Sequence, residues 1–197
     1  AKIEHMPLKA MLDGIKKGTI IVLQPNHPKA KPCAIGSGTR VKVNANLGTS
    51  GDSSSLAAER AKLRAALAAG ADAVMDLSTG GNLRRIRRAL RQAAPVAFGS
   101  VPLYDAAVQA VRRTGGIVSL TGDDMLQAVR EHCEDGVDFV TVHCGLTRAA
   151  VNRLRRQGRV LNVVSRGGSF LTSWMIHNKK ENPLYEYYDE ILDICAK

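Results

Sequence analysis

The chain lacks any run of the roughly 18 apolar residues that a membrane-spanning helix requires, so no span is expected. Its first stretch, AKIEHMPLKAMLDGIKKG, is mixed and charged and has no apolar signal-peptide core. The four cysteines, Cys33, Cys133, Cys144 and Cys195, form no C-x-x-C pair and no zinc-finger spacing. Without a signal peptide they read as reduced thiols of a cytoplasmic protein, and cluster chemistry would need ligands from elsewhere. His5, His132 and His177 show neither H-x-x-x-H spacing nor a paired carboxylate, and His27 in QPNHPKAKP reads as a loop residue. A dinucleotide fingerprint is missing too, because VNANLGTSGDSS is not G-x-G-x-x-G. There is no initiating methionine, and LDICAK stops within a helical pattern, so both ends read as cut.

What is there is a chain of 197 residues, 45% hydrophobic, which suits one compact domain with a substantial core. It carries a formal net charge of +10. The arginines concentrate in NLRRIRRALRQ and TRAAVNRLRRQGR, both amphipathic helices by spacing. In the first, Leu83, Ile86 and Leu90 share a face, and Arg84, Arg85, Arg87, Arg88 and Arg91 are expected to point outward. Such a run is ordinarily a solvated helix face. Nucleic acid is the competing partner, but no zinc finger, RNA-recognition motif or basic zipper accompanies the charge. An anionic small molecule would suit the same positive field.

A repeating order follows residue 40. The apolar runs VKVNANLG, AVMDLSTGG, VAFGSVPLY, FVTVHCG and LNVVSRGG each end in polar or glycine residues. Between them lie helical stretches, among them SSLAAERAKLRAALAAGA, NLRRIRRALRQAA, DDMLQAVREHCEDG and TRAAVNRLRRQG, with VRRTGGIVSLTG read as a connection. SFLTSWMIHNKK and LYEYYDEILDICAK add more helix. Near-continuous apolar strands alternating with helices predict an α/β fold whose parallel sheet is buried on both faces. Chemically capable residues at every strand end favour a TIM-type (β/α)8 barrel over a doubly wound sheet, with only the N-terminal five or six strand–helix units represented. GTIIVLQP is either a sixth strand or part of a hairpin covering the barrel floor. The expected organisation is a helix/hairpin capping segment at residues 1–40 and a partial barrel, the substrate-binding domain, at 41–197. An open parallel edge predicts truncation or a partner.

The strand ends carry the candidate chemistry: Asn44 and Asn46, then Met75, Asp76 and Ser78, then Ser100 and Tyr104, then His143 and Cys144, then Ser165 and Arg166. In VVSRGGSF, backbone N–H groups, a hydroxyl and a guanidinium together favour an anion such as a phosphate. Each residue has a plainer reading. Met75 is ordinary core packing, and Tyr104, after a proline that ends its strand, is either a packing residue or an aromatic platform with a hydroxyl donor. A lone histidine after a strand is more often a structural hydrogen-bonder, but the four companion strand ends favour ligand binding for His143. Asp76 either hydrogen-bonds a ligand or pairs with Lys42.

Taken together, KVNANLGTS, GADAVMDLSTGG, GSVPLYDA, DGVDFVTVHCG and VVSRGGSFLTSWMIHNKKENPLYEYYDEILDIC resemble, in order, wording and spacing, the phosphomethylpyrimidine synthase family. The resemblance runs from about residue 18 to the last residue. It implies a radical S-adenosylmethionine enzyme that converts 5-aminoimidazole ribotide to the hydroxymethylpyrimidine phosphate of thiamine, releasing formate and carbon monoxide. It implies an eight-stranded barrel, a homodimer, a 4Fe-4S cluster and a divalent metal, zinc. Carried over residue by residue, Asn46, Met75, Tyr104 and His143 contact the ribotide, and Ser165, Arg166 and Gly167 hold its phosphate.

The family's S-L-G-D-G-L-R-P loop, its I-E-G-P-G-H strand end, a further metal-binding histidine and the C-x-x-C-x-x-x-x-C cluster motif do not occur in these residues. The expectation is therefore a partly represented synthase that carries much of the ribotide pocket and is not catalytically competent alone. Two other functions compete. One is 5-hydroxybenzimidazole synthesis from the same ribotide, which uses nearly the same motifs. The other is a non-enzymatic phosphate- or nucleotide-binding module.

Overall fold

The computed structural model describes residues 1–25 and 27–196. Packing divides the chain into two compact units, Ala1–Ser100 with Gly136–Phe139, and Val101–Asp135 with Val140–Lys197.

The first unit opens with α1 (Leu8–Lys16), followed by β1 (Ile20–Leu23) and β2 (Cys33–Gly36). These strands are antiparallel, with Ile21 opposite Ile35, so GTIIVLQP forms a hairpin and not a member of the parallel sheet. Met11, Ile20 and Ala34 make a small core beneath it. Then come β3 (Asn44–Leu47), α2 (Leu56–Ala68), β4 (Ala73–Asp76), α3 (Leu83–Ala93) and β5 (Ala97–Ser100). A final short strand, β6 (Phe139–Val140), completes a sheet of order β3-β4-β5-β6. Asp138 fixes that last join, donating its N–H to the Phe98 carbonyl at 2.8 Å and accepting the Phe98 N–H on Oδ2 at 2.8 Å.

Strand alternation sorts the sheet's two faces. Leu47, Val74 and Phe98 pack with Leu63 of α2 and with Ile86 and Leu90 of α3, forming one buried core. Residues one place out of phase, Asn46, Met75 and Gly99, form a row on the other face, because Asn46 registers with Met75 and Met75 with Gly99. On α3 the apolar stripe is as expected, but Arg87 is not outward: only 2% of it is exposed. It stands one turn beyond Leu83, on the buried stripe itself.

The second unit is helical: α4 (Pro102–Thr114), a 3-10 turn (Ile117–Ser119), α5 (Gly122–Glu134), α6 (Arg148–Gln157), α7 (Arg166–Asn178), α8 (Pro183–Glu186) and α9 (Tyr188–Cys195). Leu103, Met125, Val129, Leu171, Trp174 and Ile191 are among its core residues. The buried Trp174 indole donates to the Leu120 carbonyl at 2.7 Å.

Three expectations need correction here. VPLYDAAVQAVRRT is α4, not a strand end running into a connection: Pro102 takes the N1 position and Gly115, at φ 81°, ends the helix. FVTVHCG keeps only Phe139 and Val140 as strand, so His143 and Cys144 follow irregular chain. LNVVSRGG contains no strand among the described residues. Val160, Leu161 and Val164 are exposed, whereas parallel strands persist through burial on both faces and ladder pairing, and Arg166–Gly168 open α7 instead. The chain is an α/β protein with a four-stranded parallel sheet and many helices. No helix among the described residues is long and apolar enough to cross a membrane.

Candidate functional site

In the first unit, the N-A-N-L-G motif becomes β3 and its exit. Ala45 and Leu47 face the core, leaving Asn44 and Asn46 exposed on the opposite face, with Asn44 Nδ2 donating to Asn46 Oδ1 at 3.5 Å. Asn46 lies beside the half-buried Met75 across the strand pair. Glycine at position 48 is required twice over. Its φ is +149°, and a Cβ there would lie 2.7 Å from the Leu77 carbonyl carbon. The Gly48 N–H donates to Oε2 of Glu59 at 2.8 Å, and Glu59, on α2, is 1% exposed. Its other oxygen pairs with Lys62 at 2.5 Å. No sequence signal marked Glu59, which reads there as one more surface carboxylate. Asp76 accepts the N–H and hydroxyl of Ser78, while Lys42 pairs with Glu4 at 2.7 Å, so the suggested Asp76–Lys42 pair gives way to Lys42–Glu4.

The second unit gathers five predicted residues around the first turn of α7. Ser165 is its N-cap, accepting the Gly168 N–H on Oγ at 2.9 Å. That leaves the N–H groups of Arg166 and Gly167 at the helix's positive end, where an anion is favoured. The Arg166 guanidinium lies over the Tyr104 ring, 5.1 Å from its centroid. Tyr104, in the first turn of α4, is held edge-on against Phe170 at 6.1 Å between centroids. The His143 imidazole covers Gly167 so closely that a Cβ there would fall 2.3 Å from Cε1 and 2.6 Å from Nε2. His143 Nδ1 is buried without a hydrogen-bond partner. Burial pushes its pKa below the ordinary value of 6.5, which favours a neutral ring at pH 7.

Asn182 holds the His143 segment in place, and no motif in the sequence assigned it that task. It is fully buried, and its Nδ2 donates to the His143 carbonyl at 2.8 Å and the Leu146 carbonyl at 2.9 Å. Its Oδ1 accepts the Leu184 N–H at 3.0 Å, capping α8. The only available signal was the Asn-Pro pair in ENPLY, which marks a helix start.

Among the described residues, no group of three or more His, Cys, Asp or Glu side chains is placed to hold a metal ion. The four cysteines are free thiols, distributed from β2 to α9. Three converging thiolates are what an iron–sulfur cluster with an open iron would need, so the residues present fit neither a cluster nor a structural zinc. A concavity of about 450 Å³ against α6, lined by Thr147, Ala150, Arg153, Leu154, Gln157 and Arg159 among others, contains none of the residues singled out above.

Comparison with known proteins follows the same direction as the motifs. A sequence model described as the Radical SAM ThiC family matches residues 1–197. The chain is 50% identical over 195 residues to a phosphomethylpyrimidine synthase of Moorella thermoacetica, covering 98% of the chain and 45% of that protein. It is 50% identical over 196 residues to one of Desulforudis audaxviator, at 99% and 45% coverage, and 51% identical over 185 residues to one of Syntrophus aciditrophicus, at 93% and 43%. The chain thus spans less than half the length of these curated relatives. With a family match along its whole length, the chain belongs to the Radical SAM ThiC family.

Proposed function

We propose that this chain supplies the ribotide-binding part of a phosphomethylpyrimidine synthase, the enzyme that converts 5-aminoimidazole ribotide to 4-amino-5-hydroxymethyl-2-methylpyrimidine phosphate for thiamine. The observation that carries this reading is the cluster at the start of α7, where Arg166, Gly167, Ser165, His143 and Tyr104 meet. The backbone N–H groups of Arg166 and Gly167 and the Arg166 guanidinium receive the phosphate. Tyr104 orients the guanidinium through its ring face, and the neutral His143 offers an uncharged hydrogen-bonding edge to the ligand. Asn46 and Met75, side by side on one face of the sheet, are the further proposed ribotide contacts, the amide a polar one and the thioether an apolar one.

Residues 41–197 form the substrate-binding part of a TIM-type (β/α)8 barrel, consistent with a sheet whose parallel strands follow chain order. Residues 1–40 are its capping segment, and the working enzyme is a cytoplasmic homodimer. S-adenosylmethionine and a 4Fe-4S cluster supply the radical, with zinc as the divalent metal. Cluster and zinc ligands come from outside these residues.

Thermal melts test the proposal. 5-Aminoimidazole ribotide should raise the melting temperature saturably, while the ribose and inorganic phosphate at equal concentration should not. Equal shifts with inorganic phosphate would reduce the site to a generic anion binder.

A further inference from the structure

Two thiols outside the ribotide cluster lie close together. Cys133, in the last turn of α5, and Cys195, the final residue of α9, place their Sγ atoms 4.0 Å apart. The same two helices are joined by an ion pair, Arg130 Nη2 to Glu190 Oε1, at 2.7 Å. The thiols lie three residues beyond Arg130 on α5 and five residues beyond Glu190 on α9. Cys195 is exposed and Cys133 half-buried, so a small reagent can reach the first while the second waits behind it.

We propose that Cys133 and Cys195 are a thiol-modification site that takes low-molecular-weight disulfides and closes to an intrachain disulfide between α5 and α9. This inference stands independently of the ribotide reading. A disulfide needs its sulfurs about 2.0 Å apart. The remaining approach is about 2 Å, within reach of side-chain rotation at the exposed Cys195.

The chemistry balances. The Cys195 thiolate attacks one sulfur of the small disulfide, forming a mixed disulfide and expelling one small thiolate. Cys133 then loses its proton to solvent, and its thiolate attacks the Cys195 sulfur, expelling the second small thiolate. The two cysteines are oxidised by two electrons, and the small disulfide is reduced to two thiols. The second step is the slow one. In the reduced pair, burial and then the neighbouring Cys195 sulfur push the Cys133 thiol up to about 11; in the mixed disulfide burial still holds it above its ordinary value, so little thiolate is present at neutral pH.

The test is to incubate the reduced chain with glutathione disulfide, quench with an alkylating agent, and map the peptides without reduction. The expected product is a single Cys133–Cys195 link, with Cys33 and Cys144 alkylated as internal controls. Closure from the mixed disulfide should accelerate about tenfold per pH unit between about pH 7 and about pH 9. In Cys133→Ser, the glutathione adduct on Cys195 should persist. The proposal is overturned if wild-type protein keeps that adduct with Cys133 still alkylatable, or if Cys33 or Cys144 enters links as readily. A closure rate that is flat with pH would also overturn Cys133 as the attacking thiol. The wild-type mapping needs no variant to fold.

Discussion

Gly167 lies directly beneath the His143 imidazole, and no side chain fits there unless the ring or the helix start shifts: a Cβ would sit 2.3 Å from Cε1, 2.6 Å from Nε2 and 2.8 Å from Nδ1. The requirement is one of space. Ring and helix start are in contact at the point where the phosphate is proposed to sit. Gly167→Ala should therefore displace the imidazole or the first turn of α7. The expected cost is about 1–3 kcal/mol of stability by overpacking, together with a loss of ribotide affinity. Urea denaturation and calorimetric titration measure the two. Unchanged ribotide affinity in a folded variant would separate His143 from the site.

Arg166→Ala should weaken ribotide binding roughly ten- to hundredfold, the range for losing a charge-assisted contact, and leave binding of the free ribose unchanged. Arg166→Lys should recover part of the affinity only, since an ammonium cannot reproduce the planar stack over Tyr104. Tyr104→Leu should reproduce part of the Arg166→Ala loss. Isothermal titration with ribotide, ribose and inorganic phosphate distinguishes these outcomes.

His143 makes stability depend on pH with a defined sign. Its folded-state pKa is depressed by burial, so the unfolded chain takes up a proton first as pH falls. The contribution is complete above the unfolded value near 6.5 and is lost as pH falls from there through the lower folded value. An NMR titration should place the imidazole below that ordinary value. His143→Gln should flatten the acid-side loss of stability over this window. A wild-type slope retained in the variant would assign the effect to another group.

Asn182→Ala should be among the most damaging single substitutions in the second unit. It removes the donor to two backbone carbonyls and the cap of α8 from a residue with no solvent exposure. The expected loss is about 2–4 kcal/mol, from stranded buried acceptors plus a lost cap. Urea midpoints measure it. Asn182→Asp should not rescue stability, because a carboxylate has no N–H to give.

The sheet was legible because its signal is short-range. VKVNANLG, AVMDLST and VAFGS are apolar runs bounded by turn residues, and each became a strand of the parallel sheet. LNVVSRGG carries the same local pattern, yet has no strand among the described residues, since strand formation depends on neighbours that a local pattern does not contain. The buried stripe of α3 was equally plain from Leu83, Ile86 and Leu90, but Arg87 was assigned outward by charge when its helical position put it inside. For the candidate site, the residue types were readable as donors for an anion. Their mutual arrangement was not: the Arg166–Tyr104 stack joins side chains from α7 and α4, far apart in the chain. Glu59 and Asn182 were missed because their roles depend on burial and on backbone partners distant in sequence.

By itself, then, the sequence determined the alternation of strand and helix from β3 to β5, the family to which the chain belongs, and the supply of anion-binding groups in VVSRGGSF. These follow from local periodicity, from shared motif wording and from side-chain chemistry, none of which needs coordinates. Only the tertiary structure decided that Gly167 touches His143, that Arg166 rests on Tyr104, that Asn46 stands beside Met75, and that Cys133 meets Cys195. Each of those contacts is set by how whole helices and strands pack, and packing is a property of the complete fold and not of any window along the chain.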